Sequence, residues 1–189
     1  MPRRRINVAD EVIMLAFLFV ILAVAVRFIP HPWTLTPVGA ALLYFGARGP
    51  RKLAWIAVVL LAASDLLLNR FVWGYPFKAD QVISWLWYAG ILWLGFQLSK
   101  KLDPLRLLGA ALATAVSFFV VSNFAVWAAW NMYPKTVSGL MACYAAGLPF
   151  FRRELIGDVV FTGVFFGIGH LLESWSTDAS KAGNRSAAA

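Results

Sequence analysis

The chain has 189 residues, of which 61% are hydrophobic, and its formal net charge is +8. A soluble domain is about 45–50% apolar by a similar count, so this composition argues against a soluble globular protein and predicts one embedded in a membrane. The 17 Lys and Arg residues lie mostly at the ends of apolar blocks, where basic residues contact lipid headgroups. No continuous basic surface remains for nucleic acid, so nucleic-acid binding is not predicted.

Six apolar segments are predicted to cross the membrane as helices, because about 20 residues span roughly 30 Å of hydrocarbon. In chain order they cover residues 12–29, 35–47, 53–68, 81–98, 107–130 and 156–172. The second segment is short and contains Pro37, Gly39, Ala40 and Ala41, which predicts a closely packed, partly broken helix. An all-α, polytopic helical bundle of six transmembrane helices is therefore expected.

The stretch 136–151 does not fit this scheme as a further span. Its uninterrupted part, residues 136–148, would be only about 20 Å long as a helix. We interpret it as a short re-entrant or interfacial helix. A seven-span alternative distributes the charges equally well, so segment length alone favours six.

The domain organisation follows from these segments. Residues 1–11 form an N-terminal extension, residues 12–173 a single transmembrane helical-bundle domain, and residues 174–189 a polar tail that we expect to be disordered. With six spans, eleven Lys and Arg residues lie on the side of both termini and six on the other side. This asymmetry predicts cytoplasmic termini.

The three loops on the opposite side, residues 28–36, 69–80 and 131–155, all contain proline and aromatic residues. Asp65 and Asp158 are notable because a carboxylate at the centre of a membrane helix costs about 2.5–3.5 kcal/mol. They could hold a ligand, or Asp65 could pair with Arg70 while Asp158 pairs with Arg152 or Arg153 or caps the last helix. The aromatic residues could stack on a ligand or form interfacial belts. The candidate substrate-binding residues are Trp33, Asp65, Trp73, Asn123, Trp127, Tyr133 and Asp158.

Metal binding and catalysis have little support in the sequence. His31 and Cys143 offer imidazole and thiol donors, but the chain has no HxxH, CxxC or HExxH spacing, and a lone cysteine is more often a small packing residue. We therefore predict no metal site and identify no cofactor. Because no GxSxG or Walker motif occurs either, we predict that the protein is not an enzyme.

Several motifs resemble those of a known group of proteins. They are Arg27-Phe28-Ile29-Pro30-His31-Pro32, Thr36-Pro37-Val38-Gly39-Ala40, Ser64-Asp65, Ser122-Asn123-Phe124-Ala125-Val126-Trp127, Tyr133-Pro134, Gly139-Leu140, Cys143-Tyr144, Pro149-Phe150-Phe151 and Gly157-Asp158. Residues 27–169 resemble small uncharacterised bacterial membrane proteins that are related to the substrate-binding S components of energy-coupling-factor (ECF) vitamin transporters. The resemblance implies six helices in a bacterial inner membrane, outer loops that enclose a vitamin or metal-type substrate, and a separate scaffold subunit that docks on small residues of the first helix. Ala16, Ala23 and Ala25 are available there, although without the usual Ala-xxx-Ala spacing.

Two functional hypotheses remain open at the level of sequence. The first is a substrate-binding subunit for uptake of a small micronutrient such as a vitamin, cobalamin or metal species, with the loop around Cys143 as a lid. It would act with the scaffold and ATPase of a transporter. The second is a non-enzymatic accessory subunit of a larger membrane complex, bioenergetic or other, that binds protein, lipid or pigment.

Overall fold

The computed structural model describes residues 8–29 and 35–187, with side chains up to Ser176. Within these ranges the chain forms helices and no strands, so the predicted all-α class is confirmed. The described residues form six α-helices: α1 (Val8–Arg27), α2 (Val38–Arg48), α3 (Ala54–Leu67), α4 (Ala79–Leu98), α5 (Pro104–Ala129) and α6 (Val137–Ala187). A 3₁₀ turn, Arg51–Leu53, precedes α3, and a π-helical turn, Leu68–Trp73, follows it.

Four helical stretches in the described part of the chain are long and apolar enough to cross a membrane. They are Val8–Arg27, Arg51–Trp73, Pro104–Ala129 and Val137–Ser176. The protein is therefore a helical membrane protein. The remaining two predicted spans correspond to α2 and α4. These helices do not have both the length and the apolar composition needed to cross a membrane. Helix α2 has only 11 residues, about 17 Å at 1.5 Å per residue, and α4 carries polar residues near both ends.

The prediction of a separate short helix for residues 136–151 is wrong, because residues 137–151 form the first part of α6. Pro149 lies inside that helix without ending it. A proline in a helix interior typically costs about 3 kcal/mol. Ring contacts with α5 on both sides of Pro149 offset this cost: Phe119 packs against Tyr144 at 5.5 Å and against Phe151 at 4.7 Å. Packing against α5 therefore holds the segment in line with the last span.

The backbone of α6 also remains helical through the polar tail as far as Ala187, where the sequence predicts disorder. A helix that already exists extends by one hydrogen bond for each residue it adds, without a new nucleation cost. The stretch contains no proline that would stop this extension.

Helix α2 is the centre of the bundle. Every residue from Val38 to Ala47 is buried, and the helix packs against α1, α4 and α6. Leu42, Leu43 and Phe45 are completely inaccessible to solvent. This short helix is thus surrounded by the longer ones, as its small residues predict.

The bundle has two chemically different ends. At the first, which we call the terminal end, Ser176 Oγ donates to Glu11 Oε2 at 2.8 Å and Arg48 pairs with Glu173 at 3.3 Å. At the opposite, or loop end, the turn after α3 approaches the end of α5, where Tyr75 and Trp130 meet edge to face at 5.8 Å. The start of α1 and the latter part of α6 therefore lie at the same end.

The first helix does not present the surface that the family resemblance implies. Ala16 and Ala23 are both fully buried inside the bundle, so they are inaccessible to a docking partner. Of the three small residues considered for that role, only Ala25 is exposed.

Gly46 and Gly95 allow α2 and α4 to cross in backbone contact. A larger residue at this crossing should therefore destabilise the protein. A Cβ on Gly95 would lie 2.6 Å from the Leu43 carbonyl oxygen and 2.8 Å from the Gly46 Cα, whereas a Cβ on Gly90 would meet nothing within 4 Å. We expect Gly95→Ala to lower the free energy of unfolding by about 1–3 kcal/mol through overpacking. Gly90→Ala, on the same helix, should be neutral or slightly stabilising. Thermal unfolding of the two variants in detergent compares them directly, and equal stability would contradict the close crossing.

Candidate functional site

A cavity of about 510 Å³ lies at the loop end of the bundle, where α1 finishes and α2 begins. Five aromatic side chains, one arginine and one glutamate contribute to its wall. The described lining residues are Arg27, Phe28, Ile29, Thr36, Val38, Val72, Trp73, Trp87, Tyr88, Phe118 and Glu154. The cavity therefore combines a mostly apolar, aromatic wall with two charged groups, the composition expected of a small-molecule site.

Arg27, the last residue of α1, is held by a buried polar network. Its guanidinium forms an ion pair with Asp65 of α3 and donates to Ser64 Oγ at 2.7 Å. The side chains of Arg27 and Asp65 are only 12% and 11% exposed. Burial of an ion pair is tolerated when further hydrogen bonds satisfy its remaining atoms.

Helix α4 supplies those further bonds. The Trp85 indole N–H donates to Asp65 Oδ2 at 3.0 Å, and the Tyr88 hydroxyl donates to the same oxygen at 3.1 Å. Asp65 thus connects α1, α3 and α4 beside the cavity. Both of its carboxylate oxygens accept hydrogen bonds from side chains of these helices. The suggested Asp65–Arg70 pairing is wrong, since Arg27 occupies that position.

Asp158 of α6 lies deeper in the bundle, against the first turn of α2. A Cβ on Gly39 would be 2.5 Å from Asp158 Oδ1 and 2.5 Å from Thr114 Cγ2, so only glycine lets this carboxylate approach so closely. Asp158 is 1% exposed, and neither of its carboxylate oxygens has a hydrogen-bond partner among the described residues. Neither the suggested pairing with Arg152 or Arg153 nor a cap on its own helix is present.

The start of α2 offers electrostatic compensation for this carboxylate. The Ala41 amide donates to the Pro37 carbonyl at 2.9 Å, whereas the earlier amides of the helix have no acceptor within it. These amides give the N-terminus a partial positive charge of about half an elementary charge. Because of this partial charge, a carboxylate at the start of α2 has a lower free energy than one elsewhere in an apolar bundle.

Glu154 lies one helical turn before Asp158 and faces the cavity. It forms no hydrogen bond or ion pair with any residue that the structure describes. Glu154 was not among the predicted site residues, because residues 131–155 were predicted to form a loop. Residues i and i+4 share a helix face. The spacing of four residues between Glu154 and Asp158 could therefore have identified Glu154 as a site residue.

An aromatic cluster lies beside the cavity at the loop end. The Lys78 ammonium sits 3.7 Å from the centre of the Trp130 ring, and the Trp130 indole N–H donates to Asp80 Oδ2 at 3.1 Å. Trp73, which lines the cavity, packs against Tyr75, and Tyr75 packs against Trp130. The π-helical turn after α3 is thereby tied to the end of α5.

The predicted site residues do not all come together. Trp73 lines the loop-end cavity, and Asn123 lines a neighbouring cavity of about 200 Å³ that shares Phe118 and Glu154 with it. Asp65 and Asp158 are not among the residues that line the loop-end cavity. Trp33 and His31 fall outside the described residues.

The other predicted residues lie at the turn between α5 and α6 or between these two helices. The Trp127 indole N–H donates to the Pro134 carbonyl at 2.9 Å, and Tyr133 lies in the same turn without lining either cavity. The Cys143 thiol is buried and donates to the Asn123 carbonyl at 3.4 Å. No group of three His, Cys, Asp or Glu side chains suited to a metal ion occurs among the described residues.

These features define a helical membrane protein with an aromatic, charge-lined cavity at one end of its bundle. The family model that matches residues 7–180 is described as a family of unknown function (DUF6580), and the chain belongs to this family. No curated protein and no solved structure matches the chain significantly.

The Arg27–Asp65 pair should be strongly coupled in a double-mutant cycle. Arg27→Met alone leaves a buried carboxylate without its cation, and such changes typically cost about 3–5 kcal/mol. Adding Asp65→Asn should recover a large part of that loss. The exposed Arg106–Asp103 pair, 3.2 Å apart, provides the control cycle, with an expected coupling below about 1 kcal/mol. Unfolding free energies in detergent measure both, and equal coupling would contradict the structural role of the buried pair.

Asp158→Asn should destabilise the protein more than removal of an exposed helix-terminal acid. The substitution keeps the shape but replaces the carboxyl group that faces the start of α2 with an amide, with an expected loss of up to about 2 kcal/mol. Asp10→Asn, in the exposed first turn of α1, should cost less than about 1 kcal/mol. Thermal unfolding of the two variants gives the comparison, and an Asp158→Asn protein as stable as Asp10→Asn would show that the Asp158 carboxyl group does not stabilise the start of α2.

Proposed function

We propose that this protein is the substrate-binding subunit of a membrane uptake system for a small organic micronutrient. The observation that carries the proposal is the 510 Å³ cavity at the loop end, with its aromatic wall and its two charged residues, Arg27 and Glu154. Ligand sites of this kind are mostly apolar, with a few polar groups that fix the orientation of the ligand.

The size and donor set of the cavity narrow the substrate class. Sites of about 300–1,000 Å³ accept drug-sized molecules, so the volume favours a single vitamin-sized ring system over a complete corrinoid. The described residues offer no cluster of metal ligands, and Cys143 is engaged with the Asn123 backbone. An organic molecule therefore fits this cavity better than a metal ion does.

The resemblance to ECF S components supports the same proposal. It implies a substrate enclosed by the outer loops. Phe28, Ile29 and Thr36, which lie at the two ends of the first of these loops, line the cavity, as do Val72 and Trp73 of the second. The third predicted loop contributes Glu154, although this residue belongs to α6.

The proposal includes a six-helix arrangement in the bacterial inner membrane. Helix α4 has 20 residues, enough for a span, and α2 would contribute a half-span enclosed by the other helices. Both termini would be cytoplasmic, which agrees with the excess of basic residues on that side. Because the sequence has no Walker motif, a scaffold and an ATPase would be separate subunits.

The proposal predicts a small molecule that co-purifies with the protein. Extraction of the protein from lipid nanodiscs with organic solvent, followed by mass spectrometry, should release one organic compound at close to one equivalent. Thr36→Trp should fill the cavity and abolish this retention, because its larger side chain would occupy the ligand volume. Leu18→Trp, at an exposed position on α1, is the matched control and should retain the compound.

Two outcomes would overturn the proposed function. One is an empty protein that co-purifies stoichiometrically with other membrane subunits, which would support an accessory role. The other is equal retention by Thr36→Trp and Leu18→Trp, which would place the compound outside the cavity.

A further inference from the structure

The charged side chains around the cavity differ in whether they have a partner. Arg27 is paired with Asp65, and Asp158 lies against the start of α2, where the helix dipole favours negative charge. Glu154 lines the cavity, and it has no counter-charge within hydrogen-bonding reach among the described residues. The cavity wall therefore contains one carboxyl group with which no described cation pairs.

The neighbouring basic residues do not pair with this carboxyl group. Arg152 and Arg153 are exposed, and residues one and two positions apart on a helix do not face the same side. Arg27 lies in the cavity wall, but its guanidinium is held by Asp65 and Ser64. A cation that enters the cavity would thus meet Glu154 as an unshared acceptor.

The aromatic wall favours the same kind of ligand. Trp73, Trp87 and Tyr88 line the cavity together with Phe118. The faces of such rings attract cations, with Trp the strongest, and the attraction grows as the cation is desolvated. Two independent features, a carboxyl group without a cationic partner and an aromatic wall, therefore favour a ligand with a positive charge on an apolar or aromatic body.

We infer that the ligand of the loop-end cavity is an organic cation, such as an amidinium, ammonium or nitrogen-heterocyclic cation, whose charge pairs with Glu154. This inference rests on the proposed function and specifies its substrate class. A carboxylate that accepts hydrogen bonds from a charged donor forms one of the stronger contacts available to a ligand. Glu154 is thus the residue that determines charge selectivity.

Three planar probes of nearly equal size test the charge preference. Benzamidine is a cation at neutral pH, benzamide is neutral and benzoate is an anion. Isothermal titration of the wild-type protein in nanodiscs should give a dissociation constant for benzamidine about 10- to 100-fold lower than that for benzamide, as expected for a hydrogen bond to a charged group. Benzoate should bind most weakly.

Substitution of Glu154 tests the assignment of the residue. Glu154→Gln keeps the shape and removes the charge, so its dissociation constant for benzamidine should rise to that for benzamide. Asp10→Asn, which removes an exposed carboxylate at the terminal end, should bind all three probes as the wild type does. Glu154→Asp provides a second variant that keeps the charge, and it should retain a reduced preference for benzamidine.

The possible results separate the inference from the proposed function. Equal or tighter binding of benzamide or benzoate by the wild type, a benzamidine preference that survives Glu154→Gln, or no binding of any probe would overturn the inference. The proposed function is tested by a separate experiment, the identification of the compound that co-purifies with the protein. A neutral or anionic compound retained by the wild type and lost in Thr36→Trp would support the function while overturning the cationic substrate class.

Discussion

The start of α2 inside the bundle is the constraint on which the rest of the architecture depends. A helix that begins among other helices exposes its first amides to an apolar environment, where unsatisfied polar groups are costly. The carboxylate of Asp158 lies against this first turn, and Gly39 leaves the space for it. Once α2 is placed there, its short length and complete burial require the longer helices to enclose it.

This position of α2 also creates the cavity. The cavity lies where α1 ends and α2 begins, and Thr36 and Val38 line it. The Arg27–Asp65 network, braced by Trp85 and Tyr88, connects α1, α3 and α4 beside it. The Arg27–Asp65 pair therefore stabilises the helices, whereas the Glu154 side chain lines the cavity without a partner among the described residues.

Aromatic and charged contacts connect the turns at the loop end. The contacts of Lys78 and Asp80 with Trp130 connect the two longer turns, and Trp73 links this cluster to the cavity wall. At the other turn, the Lys135 ammonium donates to the Trp130 carbonyl at 2.7 Å, near the end of α5, where a cation is favoured by the helix dipole. The cavity wall is thus in contact, through Trp73, with the packing of both turns.

The sequence by itself determined the helical class and the membrane environment, because hydropathy and helix length are properties of contiguous residues. It also singled out Asp65 and Asp158, since charges within apolar segments are rare. It did not identify the partner of Asp65, as the nearby Arg70 is equally plausible from sequence while Arg27 is brought there by the packing of α1 on α3. Nor did it identify Glu154 or the continuity of α6 through Pro149.

Those features were decided by tertiary structure alone. Whether a proline interrupts a helix depends on the packing of its two sides, here by Phe119 against Tyr144 and Phe151. Whether a carboxylate is compensated depends on the depth and rotation of several helices relative to one another. Local patterns carry no information about those relations, so the charge balance of the cavity emerges only when the bundle is assembled.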